Sequence, residues 1–276
     1  MPVAKQSEGA GQPEGAGRSE GVGQSGGSAA AHRGCYVYGV VPHDVEPVPG
    51  ALGVGESAGH VQVARHGEIA ALVSEINVTR PLGRPEDLRA HQELLDGTAT
   101  TVPVLPFRFG AVMTNAEAVA GELLAPQHEE FAAALEGLHG LAEYMIKGRY
   151  VGQTVLSEIL AENQQAARLR ESLRRIGDPD ASRAQRIQLG ELINQAVCAK
   201  RVADTRTLGE VLAGHVVASR VREPTHELDA AHVAVLAELA RQKELENAVS
   251  ELAREWQGRI TVRLLGPMAP YDFAIT

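Results

Sequence analysis

The sequence predicts an α+β protein in which two α/β domains follow a glycine-rich N-terminal leader. Two observations predict this fold class. Residues 34–276 alternate between β-branched or aromatic runs of strand length and longer stretches with apolar residues at helical spacing. The composition of residues 1–33, by contrast, supports no packed core. We expect an N-terminal domain at residues 34–140 and a C-terminal domain at residues 141–276.

The leader repeats a six-residue pattern, SEGAGQ, PEGAGR and SEGVGQ, and contains almost no large apolar side chain. Such a segment cannot bury enough surface to offset the entropy lost on ordering, so we expect residues 1–33 to be disordered. A glycine-rich interaction arm is the alternative interpretation. Removal of the leader is expected to leave the thermal midpoint nearly unchanged.

The predicted N-terminal domain has the element order β, ββ, α, β, α, α. CYVYGVV is typical of a strand, and HVQVARHGEIAALVSEI is typical of a hairpin. Pro42 ends the first strand, His66-Gly67 is the turn of the hairpin, and Pro85 and Gly97 mark the two ends of a helix. Residues 101–113 are the next strand, and a capping box at Thr114 and Glu117 starts a helix through Leu124. Pro126 starts the last helix of this domain, which carries Phe131, Leu135 and Leu138.

The predicted C-terminal domain has the order strand, helices, strand, strand, helix, strand, which is the βαββαβ order of a ferredoxin-like sheet. EYMIKGRYV is its first strand, and HVVASRV and HVAVLAEL are the next two. Helices are expected at 156–175 and 183–202, and a short third one is capped by Thr207 and Glu210. Apolar residues at helical spacing predict a helix at 244–256, and RITVRLL alternates as the last strand.

Composition limits the function. The net charge of −9 argues against general binding to nucleic acid, which requires a basic face. No apolar run approaches the roughly 20 residues of a membrane helix, and the N-terminus lacks the apolar segment of a secretory signal. Two cysteines far apart in sequence suit a reducing compartment. We therefore expect a soluble, cytoplasmic, mildly acidic protein with neither a nucleic-acid nor a membrane partner.

The motif search nominates no catalytic, cofactor-binding or metal-binding residue. Gly53, Gly55 and Ala58 have the spacing of a dinucleotide fingerprint, but prolines precede them and a β-patterned stretch follows, so a loop is favoured. His128 with two glutamates lies at a helix start, where acidic residues are favourable without a metal. The arginine-rich stretch 167–178 alternates with leucines and indicates a solvated helix face.

The stretch TVPVLPFRFGAVM places Arg108 between Phe107 and Phe109. In strand geometry both aromatic rings share one face and the arginine lies on the other. A buried lone guanidinium would be costly, so Arg108 should pair with a carboxylate or reach the rim of the sheet. Since no acid, base or nucleophile is nominated nearby, a structural role is favoured over a catalytic one. The prolines suggest an edge strand beside an aromatic face.

The C-terminal GPMAPYDF is expected to lie against the protein. Its two prolines restrict the backbone and lower the entropy cost of docking Tyr271 and Phe273 as aromatic anchors. Because RITVRLL runs directly into this segment, we expect it to close one end of the second sheet. The candidate structural or interaction residues are therefore Phe107, Arg108, Phe109, Tyr271 and Phe273.

Five motifs occur in order along the chain: YVYGVV, IAALVSEI, VLPFRFGAVM, EYMIKGRY and LLGPMAPYDF. Together, from about Gly34 to Phe273, they resemble the gas vesicle protein F/L family. The resemblance implies a non-enzymatic accessory or minor structural protein that is needed to form gas vesicles, the gas-filled protein shells of some prokaryotes. It also implies two α/β domains, the second ferredoxin-like, and no cofactor.

The partners that the resemblance implies are the small hydrophobic shell protein and other gas vesicle accessory proteins, and the implied location is the gas vesicle in the cytoplasm. An enzyme or a ligand-binding sensor with a small-molecule site between two α/β domains is the alternative. A ferredoxin-like module that dimerises is a third interpretation.

Overall fold

The computed structural model describes residues 33–55, 59–79, 81–175 and 182–274. The predicted disorder of the leader lies outside these residues, except that Arg33 already belongs to the first strand. The chain from Arg33 onward forms one compact unit with two antiparallel sheets and helices packed on them. The predicted α+β class is confirmed.

The first sheet consists of β1 (Arg33–Pro42), β2 (Gln62–His66), β3 (Ile69–Asn77), β4 (Leu105–Pro106) and β5 (Val112–Met113). Its order is β2-β3-β1-β4, with β5 also paired to β1, and all neighbours are antiparallel. The predicted hairpin is confirmed, with Gly67 in the turn between β2 and β3. A bulge between Val37 and Gly39 shifts the register of β1.

Helices cover both faces of this sheet. Helix α1 (Pro85–Ala99) lies on one face. The other face carries α2 (Ala116–Ala118), the π-helical segment that continues it (Val119–Leu124), and α3 (His128–Gly137). The α1-side core comprises Tyr36, Tyr38, Val41, Val54, Val61, Ala70, Leu72, Ile76, Leu95, Ala99, Val104 and Ala269. The α3-side core comprises Cys35, Val37, Val40, Ala64, Ile69, Ala71, Val73, Leu105, Val119, Leu124, Phe131, Leu135, Leu138 and Leu236.

The second sheet consists of β6 (Leu141–Tyr150), β7 (Ala218–Val221), β8 (Asp229–Glu238) and β9 (Ile260–Met268). Its order is β7-β8-β6-β9, again with antiparallel neighbours. The helices of this half are α4 (Gly152–Glu162), α5 (Gln164–Arg175), α6 (Arg183–Leu212) and α7 (Gln242–Glu255). Helices α6 and α7 cover one face of the sheet, and α4 packs at the end where β6 finishes.

All strands of the first sheet come before residue 140 and all strands of the second come after it, and residue 140 is the predicted domain boundary. The division into two domains stays a prediction. On the face of the second sheet opposite α6 and α7, the C-terminal tail (residues 269–274) lies across one end.

Several predicted helix boundaries are wrong. Helix α6 continues to Leu212, so the predicted short helix that starts at Thr207 is part of α6. The Thr207 hydroxyl does not cap a helix start but donates back to the Ala203 carbonyl (3.2 Å), as a residue in the middle of a helix does. Helix α1 runs past Gly97. The Asn115 side chain caps α2 by accepting from the Ala118 amide (2.8 Å), in place of the predicted Thr114.

A charge network joins the end of β6 to α4, α6 and the start of β9. The Arg259 guanidinium donates to both carboxylate oxygens of Asp204 at 2.8 and 2.9 Å, and its Nε donates to Glu158 at 3.0 Å. The Tyr150 hydroxyl donates to the same Asp204 at 2.6 Å. Because Asp204 is buried, the network neutralises a carboxylate that would be costly alone.

Candidate protein-interaction site

The predicted strand over residues 101–113 is broken. Within residues 101–113, only the two short strands β4 and β5 pair with β1, and the residues between them leave the edge of the sheet. The Phe107 amide donates to the Tyr38 carbonyl (2.8 Å), and the Val37 amide donates to the Ala111 carbonyl (2.9 Å), so the chain departs and returns within one position of β1. Gly110 makes this excursion possible, because its φ of 98° is unfavourable for any other residue.

The excursion also overturns the prediction that Phe107 and Phe109 share a face. Phe107 packs on the α3-side core, with its ring centroid 6.2 Å from that of Phe131. Phe109 packs on the α1-side core, beside Tyr36 and His91. The two-residue alternation of a strand fails here because the backbone is no longer extended between them.

An open groove of about 690 Å³ lies between this excursion and the start of α3. Phe107, Ala111 and Phe131 give it an apolar lining. Arg108 and Glu130 supply one positive and one negative side chain. Both are exposed, so the groove combines an apolar floor with a charged rim.

Arg108 reaches solvent, which is one of the two outcomes expected from its sequence. Within the described part of the chain it has no ion pair and no hydrogen bond. Its role in stabilising the fold is therefore small, and its guanidinium is available to a partner.

A buried aromatic cluster that the sequence analysis missed lies behind Phe109. The Gly110 amide donates to the Tyr36 hydroxyl (3.1 Å), and that hydroxyl lies 2.9 Å from Nδ1 of His91. The tyrosine proton is thus free to be donated to Nδ1, which fits a neutral imidazole. Burial lowers the pKa of His91, in agreement with this arrangement. The Tyr38 ring stacks on His91 at a centroid distance of 5.7 Å.

Tyr271 and Phe273 lie in the tail, and each packs on a hydrophobic core. Tyr271 packs on the α1-side core, with its ring 6.3 Å from His91, and burial raises its pKa well above the usual value. Phe273 packs on the α3-side core, under the guanidinium of Arg220 at 5.5 Å. Tyr271 and Phe109 therefore meet around His91, whereas Phe273 belongs to the same core as Phe107.

The expectation that the tail lies against the protein is confirmed. The Ala269 amide donates to Asp96 of α1, and the Asp272 amide donates to Glu143 of β6, each at 2.9 Å. Arg222 forms an ion pair with Asp272 at 2.9 Å. The tail does more than close the second sheet, since Ala269 and Tyr271 belong to the core of the first one.

Glu143 is the buried acid of this junction. Burial of the carboxyl raises the pKa of Glu143 to about 7, and the nearby charge of Asp272 raises it too, against the lowering effects of the Asp272 amide and Arg222. The sequence held a weak signal for this residue: a glutamate followed by Tyr144 and Met145 at the start of an apolar strand.

The described residues contain none of the other sites considered from the sequence, namely a metal site, a dinucleotide fingerprint and a membrane-spanning helix. No group of three or more histidine, cysteine or acidic side chains there is arranged to hold a metal, and Nε2 of His128 instead lies 3.3 Å from the Glu68 amide. Gly53 and Gly55 lie between the two residues of the Leu52–His60 bridge, and strand β2 follows that bridge. Across the same residues, no helix has the length and hydropathy needed to cross a bilayer.

Comparison with known proteins decides the family. Residues 34–275 match the family model described as gas vesicle synthesis protein GvpL/GvpF, which covers nearly all of the chain after the leader. The chain belongs to this family.

Curated relatives agree with the GvpL/GvpF assignment. Gas vesicle protein F of Streptomyces sp. (strain CB03234) is 30% identical over 242 residues, which cover 86% of this chain and 98% of that protein. Gas vesicle protein L of the same strain is 28% identical over 257 residues, covering 87% and 92% of the two chains. Gas vesicle protein F of Dolichospermum flosaquae is 24% identical, covering 87% and 96%.

Solved structures show that the fold is that of GvpF. The crystal structure of GvpF from Anabaena sp. PCC7120 superposes with a TM-score of 0.71 at 22% identity, covering 88% of this chain and 98% of that one. GvpF from Microcystis aeruginosa gives 0.69 at 22% identity, covering 88% and 99%. At this identity the likeness concerns the fold alone.

Proposed function

We propose that this GvpL/GvpF family member is a non-enzymatic accessory protein that binds the hydrophobic shell protein and other assembly proteins while gas vesicles form in the cytoplasm. The observation that carries the proposal is the family match over residues 34–275. The relatives that match nearly full length are named gas vesicle proteins F and L.

We also propose a finer description of the fold, in which each sheet with its helices is one domain and the second is ferredoxin-like. The strand, helices, strand, strand, helix, strand order of residues 141–268 supports this, as does the antiparallel order β7-β8-β6-β9.

The docking surface that we propose for the shell protein is the groove beside the broken edge strand. Apolar lining from Phe107, Ala111 and Phe131 offers a hydrophobic segment a place out of water. The break between β4 and β5 limits the paired length of this edge, so side-chain contacts in the groove would dominate over strand addition. Arg108 and Glu130 could fix the orientation of the bound segment through its polar groups.

Co-expression with the shell protein tests this surface. Arg108→Glu reverses an exposed charge on the groove, and Phe107→Ser removes part of the apolar lining. We expect each to reduce the co-purified shell protein by at least about fivefold, since residues lining an interface pocket contribute most of the binding energy. Arg254→Glu, on the exposed face of α7, is the matched charge-reversal control. The thermal midpoint of each variant is measured to separate lost binding from lost folding.

Deletion of the gene tests the function in cells. We expect no vesicles, or few and misshapen ones, although the shell protein is still produced. Normal vesicles in a deletion strain without a paralogue would contradict the proposal. A reproducible catalytic activity that disappears when one polar residue is changed, with the fold retained, would favour the enzyme alternative.

A further inference from the structure

A row of basic residues crosses the face of the second sheet that is opposite α6 and α7. Lys147 of β6 is directly opposite His232 of β8 on one side and Arg263 of β9 on the other. The Arg222 amide donates to the His232 carbonyl (2.8 Å), which extends the row to the end of β7. Residues directly opposite each other in antiparallel strands share a face, so four basic side chains lie side by side across four strands.

Two of the three exposed members of this row lack a negative partner within the described part of the chain. Arg222 is neutralised by Asp272 of the tail, and Nδ1 of His232 lies 3.0 Å from the Glu223 carbonyl. Lys147 and Arg263, in contrast, make no ion pair with any residue that the structure describes. Like charges directly opposite on neighbouring strands are destabilising, so the fold carries a cost at this place.

One carboxylate lies nearby and is already occupied. Asp229 shares an open cavity of about 380 Å³ with Lys147, Arg149 and Arg263. Its oxygens accept from Arg149 (3.2 Å), from the amide and hydroxyl of Thr225 (2.8 and 3.0 Å) and from the His226 amide (2.9 Å). The cavity therefore keeps two positive charges in excess.

Protection of a sheet edge does not explain the row. Charged side chains on edge strands prevent pairing with other chains, and this reason suffices for Arg263 on β9. Lys147, however, is on β6, an inner strand with β8 and β9 on its two sides. Protection of an edge therefore cannot explain a lysine on an inner strand, between a histidine and an arginine.

We propose that this face is a docking surface for an acidic helix of another protein. The row runs across the strands, which lie about 4.8 Å apart. Carboxylates on one face of an α-helix recur about every 5.4 Å, one turn at a time, so two of them on a helix that crosses the strands can pair with Lys147 and Arg263. Beside the row, Leu265 is 43% exposed and lies opposite Met145 in the sheet, so it offers apolar contact to the same helix.

This surface lies on the second sheet, apart from the groove on the first, and does not depend on binding of the shell protein there. The leader of this chain is a poorer occupant. Residues 1–32 contain Lys5 and Arg18 against Glu8, Glu14 and Glu20, a net charge of only −1. Charge complementarity thus favours a separate, more acidic partner.

Fluorescence anisotropy at low salt tests the proposal on the full chain. The probe is a labelled synthetic helical peptide of about 18 residues with glutamates at i, i+4, i+7 and i+11 and leucines beside them. We expect the double variant Lys147→Glu/Arg263→Glu to bind it at least about tenfold more weakly than the unchanged protein. The control Arg174→Glu/Arg254→Glu changes the net charge equally on exposed helix surfaces and should stay within about twofold.

A stability measurement distinguishes docking from misfolding. Lys147→Glu places a carboxylate between two basic residues, so it should raise the thermal midpoint by about 1–2 °C while it weakens peptide binding. Equal losses in the double variant and its control would overturn the proposal, as would an absence of binding to the probe. If single-stranded DNA binds these residues more tightly than the acidic peptide does, the surface binds a phosphate polymer and the proposal is overturned. If a peptide with the sequence of residues 1–32 binds more tightly than the acidic peptide does, the chain's own leader is the occupant and the proposal is overturned as well.

Discussion

The backbone amide of Asp272 donates a 2.9 Å hydrogen bond to the carboxyl of Glu143, a residue that is 1% exposed. The donor lies in the tail and the acceptor near the start of β6. A second hydrogen bond, from the Ala269 amide to Asp96, ties the same tail to α1 on the first sheet. The tail (residues 269–274) therefore joins the two sheets.

Deletion of residues 269–276 should destabilise both sheets. Ala269 and Tyr271 leave the α1-side core, and Phe273 leaves the α3-side core, so we expect a loss of about 3–5 kcal/mol in the free energy of unfolding. Urea denaturation measures the loss. Amide hydrogen exchange of the intact protein is the independent check: the amides of Ala269 and Asp272 should be protected, and rapid exchange throughout the tail would contradict the prediction.

The pKa of Glu143 predicts a dependence of stability on pH. Because its folded pKa is raised from 4.5 to about 7, the native state holds this proton more tightly than the unfolded chain does. The stabilisation is complete below about pH 4.5, decreases as the pH rises to about 7, and is absent above that. Glu143→Gln cannot titrate, so it should remove this decline. Urea midpoints at pH 5, 6, 7 and 8 compare the two proteins, and parallel curves would show that the prediction is wrong.

Arg259→Ala should be strongly destabilising. It leaves the buried Asp204 without its bidentate partner and Glu158 without its Nε donor, and we expect a loss of about 2–4 kcal/mol. Arg259→Lys should recover only part of the loss, because an ammonium cannot reproduce the fork of the guanidinium. Arg254→Ala, on the exposed face of α7, is the control and should change stability by less than about 0.5 kcal/mol.

Arg108→Ala should leave the stability of the fold within about 0.5 kcal/mol of its original value, since the guanidinium is exposed and makes no ion pair within the described residues. Thermal and urea unfolding measure this. A loss above 1 kcal/mol, on the scale expected for a broken charge pair, would show that Arg108 has a structural partner.

Elements with local periodicity were predictable from the sequence. Leu245, Val249 and Leu252 recur at helical spacing and are buried on α7, and Ile260, Val262 and Leu264 alternate onto one face of β9. In a regular helix or strand the spacing of residues along the sequence fixes which side chains share a face, so the pattern of apolar residues predicts which of them are buried.

The candidate site was not predictable in the same way. Whether residues 107–110 stay in the sheet depends on Gly110 and on bonds to β1, some 70 residues earlier in the chain. Alternation assigns Phe107 and Phe109 to one face only if the strand is continuous. The cluster of His91 with Tyr36 and Tyr271 is assembled from three distant segments, and no spacing in the sequence records it.

Burial of Ala269 within a core made otherwise of residues 36–104 has a consequence for the order of events during synthesis. A ribosome delivers the chain from its N-terminus, so every strand of the first sheet is available long before Ala269 emerges. The α1-side core therefore stays open on one side until Ala269 has left the ribosome. A nascent chain stalled before residue 269 would hold the first sheet in a loosened state, exposed to chaperones and proteases, and docking of the tail would be the step that locks it.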